Sequence, residues 1–357
     1  MSIENAFRQY SMNIDIDVRF MPDVLKTYLE RHGHPVAEQA LTTESDLHAY
    51  REASGYDRIF IGCPDLTAVT HADDLYELAT ACNQQMAQIA AGSQNKIFCF
   101  AFVPLHGITK AQQTLALCLD QWQMTGIMLA GNSNGRFLGD AALDPVMQSL
   151  QQRKASVMVV AALHPNTAQT GLTQPECLVE RPSDITRAAL NLVLSGTLEH
   201  YPAIRWILAE GGGFLPYISW RVSLANAMAE YRSTIPAGMM NYLRRFYFVS
   251  TQAHTEFQLS SILALAGAEH LLYGSGVGTF SLDEVKDNSL ALRRTLRDAN
   301  INAEKVNKDH ILNVFPQCAY PGESVQPTAR YGHAPLSAQL RRWLLAPLMK
   351  LADRIRK

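Results

Sequence analysis

Short apolar runs that alternate with helical patterns constrain the fold of this chain more than any other feature. Eight runs rich in β-branched and aromatic residues are separated by stretches of helical periodicity, which predicts eight strands. They cover residues 13–20, 57–63, 96–103, 126–131, 156–164, 204–210, 246–250 and 270–275. Strands that are each followed by a helix form a parallel sheet covered by helices. A count of eight favours a closed (β/α)₈ TIM barrel over an open doubly wound sheet.

The barrel is predicted to be one α/β domain over residues 1–330, since no linker and no charge run divides this region. Residues 331–357 are predicted to form a C-terminal basic amphipathic helix with a bend near Pro347. The apolar positions of this helix are Leu336, Leu340, Leu344, Leu348, Leu351 and Ile355. We expect that face to pack on the barrel or on a partner subunit. A membrane-surface helix is the other interpretation, although membrane contact is not expected.

Composition excludes several classes of protein. Apolar residues make up 47% of the chain and the formal net charge is -2, which argues against disorder and against a nucleic-acid partner. Residues 1–10 lack the apolar core of a signal peptide, and no stretch approaches the about 18 apolar residues of a membrane span. The expected location is therefore the cytoplasm. The six cysteines are widely spaced, which predicts reduced core thiols rather than disulfides or a zinc cluster.

Polar residues lie at the predicted carboxyl ends of several strands, where TIM barrels build their sites. Alternation with period two in residues 13–20 predicts that Asp15, Asp17 and Arg19 share one face, opposite the aliphatic residues. Such a strand suits a barrel wall with its polar side chains inside, but on this stretch alone an exposed edge strand fits equally well. The other polar residues at strand ends are His164, Glu210 and Ser275, and Ser275 is expected to bind substrate or to lie at an interface.

The stretch WILAEGGGFLPYISWR, residues 206–221, predicts a buried strand that delivers one carboxylate, Glu210, to the end of the sheet. Three glycines follow, and a helix then begins near Pro216. The glycines are expected to permit a sharp turn and to leave room for a ligand beside Glu210. The alternative is a tight strand-to-helix turn with Glu210 exposed to solvent.

These pieces resemble the aminocarboxymuconate-semialdehyde decarboxylase-like branch of the amidohydrolase superfamily. That branch has a first strand Ile-Asp-x-His-x-His-x-x-Pro, a later His-Pro, then His-Gly-Gly-Gly-x-x-Pro with an arginine beyond, and a final Gly-Ser-Asp-x-Pro. The counterparts here are IDIDVRFMP at 14–22, HP at 164–165, EGGGFLP at 210–216 with Arg221 beyond, and GSGVG at 274–278. The resemblance covers residues 13–278 and implies a TIM barrel of the metal-dependent hydrolase type.

The resemblance also shows where this chain departs from the branch. In the branch, the first-strand histidines, the His-Pro histidine and the final aspartate hold a divalent metal, and the remaining histidine is a catalytic acid/base. At those five positions this chain has Asp17, Arg19, His164, Gly276 and Glu210. A guanidinium has no lone pair to donate, and at about 4 Å it would repel a dication by about 8 kcal/mol at an effective dielectric of 20. No cofactor is therefore expected in this chain, and Arg19 is expected to pair with Asp17 and Glu210 where relatives hold the metal.

A weaker alternative keeps an ion. Asp17, His164 and Glu210 would suit iron, manganese or zinc if Arg19 swung away from the site. For His164 alone, a core histidine bonded to backbone is as good an interpretation as a chemical role.

The departures lead to a first hypothesis, a catalytically degenerate subunit. It would pair with a homologous, metal-containing subunit that is a decarboxylase, a hydrolase or a metal-dependent oxygenase holding iron, zinc or manganese, in a dimer or higher oligomer. In the branch, the arginine in the place of Arg221 reaches across the dimer interface into the neighbouring active site. That role is implied for Arg221 by the resemblance.

A second hypothesis is a metal-independent hydrolase or decarboxylase of a small carboxylated or lactone substrate. Arg19 and Arg221 would bind the carboxylate or stabilise an oxyanion, and His164 with Glu210 or Asp17 would move the proton. A third hypothesis is a protein that only binds a small carboxylate metabolite. The substrate itself cannot be read from the sequence.

Overall fold

The structure, a computed structural model, describes residues 14–64, 66, 72–171 and 173–345. The strands are β1 Ile14–Arg19, β2 Arg58–Gly62, β3 Ile97–Phe102, β4 Gly126–Ala130, β5 Asn132–Ser133, β6 Arg136–Phe137, β7 Ser156–Val160, β8 Arg205–Leu208, β9 Tyr247–Val249 and β10 Leu271–Leu272. Eight of them form one parallel sheet in the order β1-β2-β3-β4-β7-β8-β9-β10, while β5 and β6 form an antiparallel hairpin. The predicted α/β barrel is confirmed.

The chain that follows β10 brings the sheet back to β1. The backbone N–H of Ile16 donates to the carbonyl of Tyr273 at 3.2 Å, and that of Arg19 donates to the carbonyl of Val277 at 2.8 Å. The N–H of Gly276 donates in return to the carbonyl of Asp17 at 2.9 Å. These bonds close the ring and bring the chain after β10 against Asp17 and Arg19.

Helices cover the outside of the barrel. They are α1 Asp23–Arg31, α2 Glu44–Ser54, α3 Ala72–Gly92, α4 Ile108–Leu115, α5 Asp144–Gln152, α6 Thr167–Thr170, α7 Glu180–Leu194, α8 Thr197–His200, α9 Leu215–Val222, α10 Met239–Leu243, α11 Glu256–Ala266, α12 Leu282–Asp298, α13 His310–Val314 and α14 Leu336–Leu344. Capping boxes at Thr43 and Ser281 start α2 and α12, because each side chain accepts a hydrogen bond from the third residue of its helix.

Aromatic side chains fill the barrel towards the amino ends of its strands. Phe60, Phe100 and Phe315 are fully buried and contact one another with ring centroids 5.0–5.8 Å apart. The barrel is therefore a packed core at this end. The polar side chains of β1 lie towards the opposite end, where the carboxyl ends of the strands meet. This end of the barrel is called the mouth below.

A register shift in β1 changes the predicted alternation. Asp15 pairs with Ile59 but Val18 pairs with Ile61, so that β1 carries one residue more than β2 between these points. Asp15 consequently bonds to Tyr50 of α2, whereas Asp17 bonds to Arg19 and to Thr251, which follows β9. The prediction that Asp15 shares one face with Asp17 and Arg19 was wrong. An alternating pattern in the sequence does not reveal that one strand carries an extra residue relative to its neighbour.

The cysteines largely follow the prediction of reduced core thiols. All six are free, and the buried ones are Cys63, Cys82, Cys99, Cys118 and Cys318. Burial raises the pKa of Cys82, Cys99 and Cys118 to about 12, so these thiols are unreactive. Only Cys177 is exposed.

The C-terminal helix is present but shorter than predicted over the described residues. Helix α14 leaves Leu336, Leu340 and Leu344 more than half exposed, although Leu336 and Leu340 border a cavity with His200 and Pro236 of the barrel. The predicted bend at Pro347 lies outside the described residues, and the domain division at residue 330 stays a prediction. Within the described parts of the chain, no helix is long and apolar enough to span a membrane.

Candidate functional site

A buried ion pair occupies the mouth of the barrel. The Nε atom of Arg19 lies 2.9 Å from Oδ1 of Asp17, and the two side chains are only 12% and 3% exposed. The hydroxyl of Thr251 donates to Oδ2 of Asp17 at 2.7 Å. Nη1 of Arg19 lies 3.3 Å from the sulfur of Met128 on β4. The guanidinium is therefore held between Asp17 of its own strand and Met128 of β4, at the position that the resemblance aligns with a metal-binding histidine of the branch.

Glu210 does not join this pair. It lies two residues beyond β8 with a φ of 50°, a strained conformation for a residue with a side chain. Its Oε1 accepts from Nη2 of Arg181 on α7 at 2.7 Å, and its Oε2 is buried without a hydrogen-bond partner among the described residues. The prediction that Arg19 pairs with Glu210 was wrong. Arg181 was missed because nothing in the sequence marks α7 as the neighbour of this turn.

The three glycines after Glu210 are closely packed on the side where a side chain would lie. A side chain at Gly211 would meet Ala253 at 2.6 Å, and one at Gly212 would meet Phe248 at 2.8 Å. One at Gly213 would run into the backbone carbonyl of Pro182. The glycines therefore serve a tight turn that packs against β9 and α7, while the room for a ligand beside Glu210 stays a prediction.

The resemblance aligns Gly276 with the last metal ligand of the branch, and the surroundings of Gly276 leave no space for a side chain. Its φ is +73°, and a Cβ atom would lie 2.7 Å from Cγ2 of Thr251 and 2.8 Å from the ring of Phe280. An aspartate could not be seated here without moving one of these neighbours. The backbone conformation and the packing after β10 therefore both disfavour a carboxylate side chain at position 276.

His164 lies four residues beyond β7 and is half-buried. Its Nδ1 accepts from the backbone N–H of Asn166 at 3.1 Å, and its ring stacks on Phe137 of β6 at 5.7 Å. It is thus neither a core histidine nor hydrogen-bonded to Asp17 or Glu210. A second imidazole, that of the exposed His106, contacts the same β5–β6 hairpin. Its Nδ1 lies 3.3 Å from the hydroxyl of Ser133. Sequence reasoning missed His106 although it follows the third strand closely.

Ser275 is buried in a network that does not belong to the mouth. Its hydroxyl lies 3.0 Å from the hydroxyl of Tyr50 and accepts from the N–H of Val277 at 3.0 Å. Asp15, fully buried, accepts from Tyr50 at 2.8 Å and from the N–H of Ser275 at 3.0 Å. Burial raises the pKa of Asp15 to about 6. The prediction that Ser275 binds substrate was therefore misplaced, since the side chain faces this internal network.

The residues present do not fit a metal ion of the family type. Asp17 is engaged by Arg19 and Thr251, Glu210 by Arg181, and His164 by the hairpin. Over the described residues no three His, Cys, Asp or Glu side chains form a group that could hold a metal. The alternative metal site at Asp17, His164 and Glu210 is thus not assembled in this structure.

Arg221 lies on an exposed ridge of α9. The ridge consists of Tyr217, Trp220 and Arg221 of α9 and of Leu224, two residues beyond the end of the helix. Tyr217 and Trp220 are 83% and 80% exposed. Positions 217, 220 and 224 fall on one helical face, and the exposed Phe257 belongs to the adjacent helix α11. Large aromatic side chains beside an arginine are typical of the centre of a protein interface.

Comparison with known proteins agrees with the fold and the motifs. The amidohydrolase family model matches residues 29–353. The 6-methylsalicylic acid decarboxylase of Penicillium expansum is 25% identical over 285 residues, which are 73% of this chain and 83% of the relative. The 2-amino-3-carboxymuconate-6-semialdehyde decarboxylase of Dictyostelium discoideum is 23% identical over 57% of this chain and 56% of its own length.

A solved structure extends the match to most of the chain. A dihydroxybenzoic acid decarboxylase from Polaromonas sp., with bound manganese and the inhibitor 2-nitroresorcinol, superposes with a TM-score of 0.71 at 18% identity. The superposition covers 86% of this chain and 98% of that one. The chain therefore belongs to the amidohydrolase family, and the relatives to which it is similar are named as decarboxylases.

Proposed function

We propose that this chain is a subunit without a metal centre of its own that works beside a related, metal-containing decarboxylase. The observation that carries the proposal is the Arg19 guanidinium, which lies 2.9 Å from the carboxylate of Asp17. The resemblance aligns Arg19 with a metal-binding histidine of the branch. A fixed cation that cannot donate a lone pair excludes a dication from the same position. Gly276 supports the proposal independently, because its neighbours leave no space for the carboxylate ligand of the branch.

The α9 ridge is the surface that we expect to contact the partner subunit. Exposed apolar patches of this kind mark interaction sites in soluble proteins, and Tyr217, Trp220 and Leu224 would be covered by the partner. Arg221 would then be carried to the edge of the neighbouring mouth, where a guanidinium can bind a substrate carboxylate with two hydrogen bonds. The substrate class that the relatives suggest is a hydroxylated benzoic acid.

The experiment compares the chain alone with the chain co-expressed with a homologue that carries the complete set of histidines. Release of CO₂ from 6-methylsalicylic acid and from a dihydroxybenzoic acid is measured, together with metal content by elemental analysis and with the mass of the complex. We expect the lone chain to be inactive and without stoichiometric metal, and the pair to be active.

Arg221→Ala in this chain is expected to lower kcat/KM of the pair at least about tenfold, which corresponds to about 1.4 kcal/mol of transition-state stabilisation. The mass of the complex should stay unchanged. The matched control is Arg297→Ala, an exposed arginine at the end of α12. Full activity of the lone chain with one bound metal would refute the proposal, and so would an active pair that is indifferent to Arg221→Ala.

A second candidate, a metal-independent decarboxylase or hydrolase, is favoured by Glu210. Strained backbone at a residue with a buried, unbonded carboxylate oxygen is typical of functional positions. This candidate predicts that the lone chain turns over a small carboxylated or lactone substrate in the presence of a chelator. Glu210→Gln and His164→Ala should each abolish that turnover. Calorimetric binding of a carboxylate without turnover would instead indicate a binding protein.

A further inference from the structure

A cavity of about 420 Å³ opens at the end of the barrel opposite to the mouth. Its size falls in the range of small-molecule pockets. Thr125 and Ser156, at the amino ends of β4 and β7, line it together with Gln317 from the C-terminal part of the chain. Polar side chains from three segments therefore surround a space that no residue of the mouth reaches.

The charges around this cavity do not balance. Asp120 and Arg153 neutralise each other, with Nε–Oδ1 at 2.9 Å and Nη2–Oδ2 at 2.6 Å. Two further cations, Lys154 and Arg330, line the cavity. Neither is in an ion pair over the described residues, and Nη1 of Arg330 donates to a backbone carbonyl, that of Ala203, at 2.8 Å. The lining thus carries two positive charges in excess.

A third cation lies behind the lining. Arg205 is buried and donates to the backbone carbonyls of Val314, at 2.7 Å, and Thr328. Its Nε is buried without a hydrogen-bond partner among the described residues. Burial and the charge of Arg205 together lower the pKa of Arg330 to about 10. Arg205 binds the carbonyl of Thr328, two residues before Arg330, and neither guanidinium is in an ion pair over the described residues. This arrangement favours an anion.

We propose that this cavity is a second ligand site, for a small oxyanion of at least two negative charges, held by Arg330 and Lys154. The hydroxyls of Thr125 and Ser156 are available as donors, and a guanidinium matches phosphate and carboxylate oxygens alike. The ligand would bridge β4 and β7 to the segment that contains Gln317 and Arg330. It lies away from the mouth, so its effect is on the stability of the fold. The inference does not depend on the proposed function.

The test uses the whole purified chain and follows thermal unfolding and titration calorimetry with inorganic phosphate and, separately, with succinate. Ionic strength is held constant with sodium chloride. We expect saturable binding of one anion per chain and a rise in Tm of roughly 3–4 °C at about 100 times Kd. Tighter binding of phosphate would identify a phosphorylated ligand, and tighter binding of succinate a dicarboxylate. Either result supports the site.

Arg330→Gln and Lys154→Gln are each expected to raise Kd at least about tenfold, while Lys286→Gln, an exposed lysine of α12, leaves it unchanged. If Arg330→Gln does not fold because its bond to Ala203 is lost, Lys154→Gln decides, since Lys154 is exposed. Absence of saturable binding of both anions would overturn the proposal. An unchanged Kd in Lys154→Gln and in any folded Arg330→Gln would do the same.

Discussion

Removal of the Arg19 guanidinium tests the central feature of the mouth. Arg19→Met leaves Asp17, 3% exposed, as a buried carboxylate whose remaining partner is the hydroxyl of Thr251 at 2.7 Å. Removal of one member of a buried ion pair destabilises proteins by about 3–5 kcal/mol. Because the hydrogen bond from Thr251 persists and water reaches the rim, we expect the lower end, about 3 kcal/mol.

A double-mutant cycle separates the ion pair from lost packing. Asp17→Asn combined with Arg19→Met removes both charges, so we expect this variant to lie within about 1 kcal/mol of the unchanged chain. The free energy of unfolding is measured by urea denaturation at neutral pH, from the midpoint and the slope. Arg297→Met, at an exposed position, is the control and should change the free energy of unfolding by less than about 0.5 kcal/mol.

The expected coupling energy between Asp17 and Arg19 is at least about 2 kcal/mol. A coupling energy below about 0.5 kcal/mol would mean that solvent screens the pair as it screens surface ion pairs. In that case Arg19 would not be needed to neutralise Asp17. The reasoning that a fixed guanidinium replaces the cation of the branch would then be refuted.

Three further predictions concern the surroundings of the mouth. Burial raises the pKa of Asp15 from its ordinary value of 3.8 to about 6, so the folded chain holds a proton that the unfolded chain has lost. Stability should therefore fall by about 3 kcal/mol as the pH rises from about 4 to above 6, and urea titrations of Asp15→Asn should lack this loss. Gly276→Asp should lower the free energy of unfolding by about 2–4 kcal/mol, measured by thermal denaturation, without any gain of metal in elemental analysis. Arg181→Met should destabilise the chain by about 1–2 kcal/mol in urea, and Glu210→Gln in addition should recover part of that loss.

The barrel could be predicted because each of its strands can be recognised from its own local sequence. Buried parallel strands are continuous apolar runs, and residues 126–130 and 156–160 are nearly pure examples. Strand ends were less certain, since apolar and small residues continue past the last hydrogen bond. The predicted fifth strand ran to His164, whereas β7 ends at Val160.

The arrangement of the mouth could be predicted only where it depends on neighbours in sequence. Asp17 and Arg19 lie two residues apart on one strand, and their pairing follows from that spacing. The bond between Arg181 and Glu210 joins residues 29 positions apart on different elements, and no local pattern encodes it. The cavity near Arg330 could not be predicted from the sequence at all. It forms only when the C-terminal segment folds across the amino ends of the strands.

The substitutions at the mouth also depend on one another, which makes them hard to reverse. A side chain at Gly274 would approach Cβ of Asp17 at 2.7 Å, so this part of the wall is already packed around the ion pair. Histidines at positions 17, 19 and 210 would restore three imidazoles, yet Gly276 would still offer no carboxylate, because Thr251 and Phe280 occupy the space that one requires. A metal site would need the segment after β10 to move as well. We therefore expect the chain with Asp17→His, Arg19→His and Glu210→His to bind manganese no more tightly than the unchanged chain in equilibrium dialysis, and stoichiometric binding would contradict this account of the mouth.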